Sequence, residues 1–248
     1  MRLAVAGATG TVGRHVVAAA ERAGHDVVPL SRSAGTDLLA DVGVAAALAA
    51  ADAVVDVTST AALGRRRSVA FFTRVTEVLL RAERLAEVPH HLALSVVGID
   101  RIDAGYYAGK LRQEALIAAS PQPSTVLRAA QFHEFAGQVA GLARLGRWTA
   151  VPRALVRPMA AEEVGARLVE LAAAPPSGRA PDLVGPRDEV LASMVRRLLD
   201  ARGDRSRVVE LALPGRYWRG LASGALRGDS AATRGTLTFD NWLAMSRW

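Results

Sequence analysis

The amino-terminal stretch MRLAVAGATGTVGRHVVAAAERAG, residues 1–24, decides the fold class of this 248-residue chain. Leu3 to Ala6 is a short apolar run, and the segment GATGTVG follows it at residues 7–13. Arg14 to Ala23 has the spacing of an amphipathic helix, and Gly24 supplies its stop. A strand, a glycine turn and a helix in this order predict the start of an α/β domain with a phosphate at the helix amino terminus.

The glycines of this turn are spaced to hold the pyrophosphate of a dinucleotide. Gly7 permits a tight turn, Gly10 lets the backbone approach a phosphate, and Gly13 lets the helix lie close to the strand. The spacing GxxGxxG is one residue longer between its first two glycines than the common fingerprint, and a purely structural turn is the alternative. The predicted cofactor contacts are Gly7, Thr9, Gly10, Thr11, Val12 and Gly13.

Strands and helices alternate through the first two thirds of the chain, which predicts parallel strands joined by helical crossovers. The usual third strand, after the strand at residues 26–30, is almost missing. After Pro158 the pattern changes to two amphipathic helices and one strand, at residues 162–173, 189–201 and 208–213. We predict an α/β fold, a Rossmann-like doubly wound parallel sheet at residues 1–157. A smaller C-terminal α/β cap at residues 158–248 binds substrate and is integrated with the first domain.

The segment after the second strand favours NADP(H) over NAD(H). An NAD site often has a carboxylate here for the ribose hydroxyls, whereas this chain has Ser31, Arg32 and Ser33. The Arg32 guanidinium is suited to a 2′-phosphate, although an ordinary surface arginine is the alternative. Topology adds four predicted cofactor contacts, which are Asp37 and Leu38 near the adenine and Thr58 and Ser59 after a buried strand.

The stretch YYAGK, residues 106–110, contains the only lysine of the chain, against thirty arginines. Residues four apart lie on one helix face, so the Tyr106 phenol and the Lys110 ammonium can act on one ligand. A nearby cation favours the phenolate, whose reference pKa is near 10. Arginine is a poor substitute for a compact ammonium in a small pocket. Survival of one lysine by chance is the alternative.

These motifs together resemble the short-chain dehydrogenase/reductase superfamily. The stretches LSVVGID (94–100), STVLRAAQFHEF (124–135) and VRPMAAEEVGARLVEL (156–171) are closer to its atypical, NmrA-like NAD(P)H-binding branch. The resemblance implies a catalytic tyrosine at Tyr106, a lysine that contacts the nicotinamide ribose at Lys110 and an active-site serine at Ser95. Tyr107 is the alternative proton donor. The branch includes members that bind the nucleotide without clear turnover.

The substrate side is predicted at Gln131, Phe132 and His133, with His133 either a second proton donor or a packed loop residue. One or two of the four tryptophans, 148, 218, 242 and 248, would suit the wall of a pocket for a hydrophobic carbonyl or quinone-like compound. The predicted function is an NADPH-dependent oxidoreductase that reduces a carbonyl, quinone-like or conjugated small molecule. The alternatives are an NADP(H)-binding sensor without turnover and a cofactor-retaining isomerase or epimerase.

Composition limits the other classes of function. The net charge of +7 is spread along the chain, so we expect no nucleic-acid partner and a role in attracting an anionic small ligand. There is no cysteine and no apolar run of membrane-spanning length. We expect a cytoplasmic monomer or homodimer without membrane contact. No metal is expected, because His90 and His91 have no matching carboxylates nearby in the sequence.

Overall fold

The computed structural model describes residues 1–142 and 144–246, which leaves Trp248 outside the described part of the chain. The chain divides into two compact units, each built from separate segments. The first unit consists of Met1–Val96, Asp103–Arg128 and Glu162–Pro181, and the second of Val97–Ile102, Ala129–Ala161 and Asp182–Trp248. The expected single boundary between residues 157 and 158 differs from this division, because the chain passes between the units several times.

A mainly parallel sheet organises the first unit. Its strands are β1 (Arg2–Ala6), β2 (Asp26–Leu30), β3 (Ala53–Asp56), β4 (His91–Val96) and β5 (Ser124–Ala129), in the order β2-β1-β3-β4-β5. The pairs β1–β2, β1–β3 and β3–β4 are parallel. The chain order reverses at β1, which has β2 on one side and β3 on the other. In sheets of this type, ligands bind beyond the carboxyl ends of the strands at such a reversal.

Five helices connect or flank these strands in the described part of the first unit. They are α1 (Gly13–Arg22), α2 (Val44–Ala47), α3 (Arg65–Leu85), α4 (Gly105–Ala118) and α6 (Ala161–Ala172), the last beginning one residue before the unit. Between β2 and α2 the chain has no strand that pairs with β2 and only an isolated antiparallel bridge between Asp37 and Val42. The predicted Rossmann-like fold is therefore confirmed, together with its weak element.

The core of the first unit forms because its strands are apolar on both faces, as parallel strands between helices require. All four residues of β3 are buried, and so are Leu3 to Ala6 of β1. Helix α3 contributes Val75, Val78 and Leu79 to the same apolar cluster. This packing fixes the carboxyl ends of β1 and β3, from which the candidate site is built.

The second unit contains shorter elements. Its helices are α5 (Phe135–Leu142), α7 (Leu191–Ala201), α8 (Arg216–Ala222) and α9 (Phe239–Met245). One small sheet has the order β12-β7-β6 (Arg207–Leu211, Trp148–Pro152, Arg144–Leu145), and β8 (Leu155–Val156) pairs with β11 (Glu189–Val190). The remaining short strands are β9 (Gly178–Arg179), which pairs with β5 in the first unit, and β10 (Leu183–Val184) and β13 (Thr233–Arg234), which pair in the second. None of the helices in residues 1–142 and 144–246 has both the length and the apolar composition needed to cross a membrane.

Candidate functional site

The glycine-rich turn after β1 is shaped by close backbone contacts. Gly7 has a φ of +82°, and a Cβ there would lie 3.0 Å from the Val57 carbonyl oxygen. A Cβ at Gly13 would overlap the Gly7 carbonyl oxygen and lie 2.8 Å from Ala8. Only glycine fits these two positions, because one needs the left-handed conformation and the other has no space. The turn is thereby held against the residues that follow β3.

The same turn has the donors that a pyrophosphate needs. Within the described chain, no backbone carbonyl accepts a hydrogen bond from the N–H of Thr11, Val12 or Gly13, whereas Gly10 N donates to Gly7 O at 2.9 Å. These N–H groups lie at the amino end of α1, which also carries partial positive charge. Thr9 is exposed and Thr11 half-buried. The residues present therefore fit a dinucleotide phosphate.

The segment after β2 forms a short 3-10 turn, Arg32–Ala34, whose arginine is exposed. Ser31 Oγ and Ser33 Oγ lie 3.0 Å apart and hydrogen-bond to each other. The exposed guanidinium and two neighbouring hydroxyls are chemically suited to a phosphate monoester. The NADP(H) preference itself remains a prediction.

Asp37 and Leu38 follow this turn and have local roles of their own. The Asp37 carboxylate accepts hydrogen bonds from the backbone N–H of Leu39 at 2.9 Å and Ala40 at 3.1 Å. The bonds from Ala40 and then Leu39, with the charge of Arg32 adding to them, hold the pKa of Asp37 below its usual range. Leu38 is partly buried against the core cluster. Contact with adenine remains a prediction for both residues.

The end of β3 brings the predicted tyrosine and lysine together with the phosphate turn. The Tyr106 hydroxyl lies 3.1 Å from Ser59 Oγ, and Lys110 Nζ donates to the Thr58 carbonyl at 3.2 Å. The neighbouring Val57 carbonyl contacts Gly7, as described above. Three predicted positions from two sequence motifs, Gly7 of the glycine turn and Tyr106 and Lys110 of YYAGK, therefore lie against residues 57–59.

Lys110 is buried, at 3% exposure, and its ammonium is surrounded by acceptors. Besides Thr58 O, it donates to Leu94 O at 2.8 Å and to Gln113 Oε1 at 2.9 Å, and it lies 4.5 Å from the centre of the Phe72 ring. Burial lowers the pKa of Lys110 from 10.5 to about 8, against the opposing charges of Asp56 and Glu114. The amine is thus still mainly protonated at pH 7.

Two buried hydroxyls near Lys110 have no hydrogen-bond partner within the described residues, Ser95 Oγ and Thr58 Oγ1. The backbone carbonyl of Thr58 accepts a hydrogen bond from Lys110. Ser95 follows Leu94, whose carbonyl also accepts from Lys110. A buried hydroxyl without a partner costs about 1–3 kcal/mol, so both are suited to a ligand that would complete their bonding. The catalytic role predicted for Ser95 stays a prediction.

The two tyrosines of YYAGK lie inside α4, because the helix begins at Gly105. Tyr106 is partly exposed and Tyr107 is buried, with their ring centres 5.8 Å apart in an edge-on arrangement. The Tyr106 carbonyl also accepts from Ser68 Oγ at 2.9 Å. Tyr106 is the tyrosine whose hydroxyl contacts Ser59, while Tyr107 remains the alternative proton donor.

The predicted substrate residues lie in the second unit. Both polar atoms of the Gln131 side chain are buried without a partner among the described residues, and Phe132 forms a backbone bridge with Met159. His133 Nε2 lies 2.9 Å from the Leu237 carbonyl, and its ring packs near Phe239. Substrate contact stays a prediction for all three.

Sequence reasoning missed two buried polar pairs. Gln113 Nε2 donates to Asp56 Oδ2 at 2.7 Å, which links the lysine's amide partner to a carboxylate. His91 Nδ1 donates to Glu83 Oε1 at 2.8 Å, although the sequence offered no carboxylate at a matching spacing. Burial lowers the pKa of His91, but the charge and hydrogen bond of Glu83 outweigh this and raise it. An isolated carboxylate in the apolar strand AVVDV was the available signal for Asp56.

No cluster of three or more His, Cys, Asp or Glu side chains suited to a metal occurs in residues 1–142 and 144–246. The features described above define a Rossmann-like α/β protein with a glycine-rich turn near a helix that carries a tyrosine and a lysine. No family model matches the chain, and no curated protein matches it.

Solved structures do match it across nearly the whole length. An NADPH-dependent quinone oxidoreductase from Escherichia coli, complexed with NADPH, has a TM-score of 0.75 at 17% identity, covering 98% of both chains. A nucleoside-diphosphate-sugar epimerase from Pseudomonas aeruginosa has 0.71 at 19%, and covers 98% of this chain and 95% of the other. A short-chain dehydrogenase/reductase superfamily protein from Agrobacterium tumefaciens, with bound NAD, has 0.67 at 15% over the same shares. The chain therefore has the short-chain dehydrogenase/reductase type of fold.

Proposed function

We propose that the chain is an NADPH-dependent reductase of the short-chain dehydrogenase/reductase type, in its atypical, NmrA-like branch. Its substrate is a small hydrophobic carbonyl, quinone-like or conjugated compound. The likeness to a quinone oxidoreductase complexed with NADPH supports this reaction class. The likeness to a protein with bound NAD supports a nicotinamide cofactor in general.

One observation carries the proposal, the convergence of the glycine turn and the YYAGK helix on residues 57–59. Gly7 contacts Val57, Lys110 donates to Thr58 and Tyr106 contacts Ser59. A dinucleotide with its pyrophosphate on the glycine turn can extend along this edge of the sheet towards the phenol. The two motifs and residues 57–59 are then used by one ligand.

The residues have matching chemical roles. A bound reduced nicotinamide supplies the hydride. Tyr106 donates a proton to the substrate oxygen as that oxygen gains charge, and Ser95 stabilises the same oxygen with its hydroxyl. Lys110 lowers the cost of the phenolate that remains, since a cation close to a phenol favours its ionised form.

The test is NADPH consumption against a panel of carbonyl and quinone compounds, with wild type and Tyr106→Phe. We expect Tyr106→Phe to lower kcat by about 10²–10⁴, because a positioned proton donor contributes that much. NADPH affinity, measured by fluorescence titration, is expected to stay within about two-fold.

The matched control is Tyr107→Phe, which removes the other phenol of the same helix turn. Full activity in Tyr106→Phe together with a large loss in Tyr107→Phe would transfer the role of proton donor to Tyr107. No NADPH consumption across the panel by wild type that binds NADPH would contradict the reductase assignment.

The cofactor preference is tested separately at Arg32. In Arg32→Ala we expect NADPH affinity to fall about ten-fold or more, because a charge-assisted pair with the 2′-phosphate is worth roughly 1.5–3 kcal/mol. NADH affinity should change little, since NADH lacks that phosphate. Equal losses for both cofactors would remove the selectivity argument.

A binding role without turnover is the second candidate. The hydrogen bonds that already occupy the Lys110 ammonium favour it. The three donors of the ammonium already have three protein acceptors, so contact with a ribose needs one of these bonds to be exchanged. The longest, to Thr58 O at 3.2 Å, is the one most easily given up. A sensor would bind NADP(H) with no consumption on the panel and with an affinity for a protein partner that depends on the redox state.

A further inference from the structure

The Lys110 ammonium is the first member of a buried chain of hydrogen bonds that ends at a carboxylate. It donates to Gln113 Oε1 at 2.9 Å, Gln113 Nε2 donates to Asp56 Oδ2 at 2.7 Å, and Asp56 Oδ1 accepts from Thr58 N at 2.9 Å. Gln113 and Asp56 have no exposed surface. Neither residue belongs to the motifs on which the proposed function rests.

The polarity of the Gln113 amide is fixed by its neighbours. An ammonium only donates and a carboxylate only accepts, so the amide oxygen must face Lys110 and the amide nitrogen must face Asp56. The negative end of the amide dipole therefore faces the ammonium, and its positive end faces the carboxylate. Hydrogen bonds in such a buried chain strengthen one another. This array of hydrogen bonds joins helix α4 to strand β3 and to Thr58, which lies two residues after the end of β3.

We propose that Gln113 and Asp56 are positioning residues for Lys110, which hold its ammonium in place beside Thr58 and keep it protonated. The proposal deepens the proposed function, since it rests on the role of Lys110 beside the cofactor. Neither residue touches the substrate or the cofactor in this arrangement. Their effect passes through the lysine.

Several charged or titratable groups lie around Lys110 and are considered in the design of the experiment. Asp56 lies on β3 and Glu114 lies on α4 itself, and both raise the pKa of Lys110 against burial. Glu114 is paired with Arg128 on β5, which contributes two hydrogen bonds to the carboxylate. Asp56 also raises the pKa of His91 on β4. The phenols of Tyr106 and Tyr107 lie on the first turn of α4.

The experiment uses the fact that Lys110 is the only lysine. With ¹³C-labelled lysine, the full-length protein gives one side-chain ¹³Cε resonance, and its shift against pH reports the protonation of this amine directly. We expect a midpoint near 8 for the wild type. Asp56→Asn should lower that midpoint by about one pH unit or more, because an opposite charge is lost. The Gln113 amide then faces the amide of residue 56 instead of a carboxylate.

The decisive variant is the double exchange Asp56→Asn with Gln113→Glu. It moves the carboxylate from β3 to α4 and places the amide on β3, so each hydrogen bond of the array is kept with its polarity matched. We expect the midpoint to return to the wild-type value or to rise above it. Glu114→Gln is the control, and a smaller decrease is expected there because Arg128 already compensates that carboxylate.

An unchanged midpoint in folded Asp56→Asn would overturn the proposal. So would a folded double variant that titrates as low as Asp56→Asn, and this result decides the matter even if the single variant fails to fold. The titration needs neither cofactor nor turnover. If it gives the expected pattern in a protein that consumes no NADPH, the reductase assignment fails while the positioning role is retained.

Discussion

Lys110 illustrates how one residue can have a structural and a chemical role together. A buried amine with three acceptors connects α4 to the residues after β3 and to the Leu94 carbonyl of β4. Its ammonium is nevertheless destabilised relative to the unfolded chain, because burial lowers its pKa from 10.5 to about 8. The free-energy cost of burying this charge therefore falls at the position where, in the proposed function, the Lys110 amine assists the Tyr106 phenol.

The lowered pKa predicts a pH dependence of stability. Between pH 8 and 10.5 the unfolded chain binds more protons at this amine than the folded chain, so the free energy of unfolding rises with pH over this window. Below pH 8 both states are protonated, so the slope vanishes there and the destabilisation from the buried ammonium is at its full size. Relative to Lys110→Met, the wild type should gain about 2–3 kcal/mol from pH 7.5 to 10.5.

Urea unfolding of both proteins at several pH values measures that difference. Groups remote from residue 110 contribute equally to the two chains, so their effects cancel in the comparison. A constant difference across the window would mean that the amine keeps an ordinary pKa in the folded protein.

The sequence predicted the chemistry-bearing residues better than their supporting partners. The sequence singles out Tyr106, Lys110 and Thr58–Ser59, because helix spacing and strand order are local patterns. In the structure these residues lie together, and their roles at a cofactor stay predictions. Gln113 and Asp56 were missed, since they are 57 residues apart and only the fold brings them into contact. The same reason explains the missed pairing of Glu83 with His91.

At the scale of elements, the packing of α3 against α4 depends on one glycine. A Cβ at Gly109 would overlap Ser68 Oγ, lie 2.6 Å from the Phe72 ring and 2.8 Å from the Ser68 backbone. The close approach also allows Ser68 to donate to the Tyr106 carbonyl. Gly109 therefore sets the distance between the helix that carries YYAGK and its neighbour.

Gly109→Ala should lower the free energy of unfolding by about 1–3 kcal/mol, because overpacking outweighs the gain in helix propensity. Gly141→Ala is the matched control, since nothing lies within 4 Å of a Cβ at that helical position. There the propensity gain alone predicts stabilisation of up to about 1 kcal/mol. Urea unfolding compares the two, and equal effects would contradict the packing argument.

The sequence predicts the bounds of the elements unevenly. The strand at residues 26–30 was placed correctly. The alanine-rich stretch at residues 42–51 has the composition of a longer helix, but the helix is only Val44–Ala47, because Gly43 and Ala50 have positive φ angles at its two sides. Helix propensity predicted the longer element, whereas the turns that connect it within the fold shortened it.

At the scale of the whole molecule, net charge predicts how a dinucleotide would approach. The chain carries +7, and both cofactors are anions. We expect the NADPH association rate to fall several-fold between about 0.05 and 0.3 M salt, as screening shortens the range of attraction. NADH should fall less, because it lacks the 2′-phosphate.

Stopped-flow fluorescence at several salt concentrations measures these rates. The Arg32→Ala variant serves as the control, and its NADPH slope should approach that of NADH. Rates that do not depend on salt would show that the net charge has no part in capture.

The interleaving of the two units has a consequence for engineering. A fragment that ends at residue 157 would lose α6, whose Gly165 packs directly on the backbone of His15 and Val16 in α1. Exchange of the second unit between related proteins would likewise need three separate grafts instead of one splice. Evolution of this chain by simple shuffling of contiguous gene segments is correspondingly constrained.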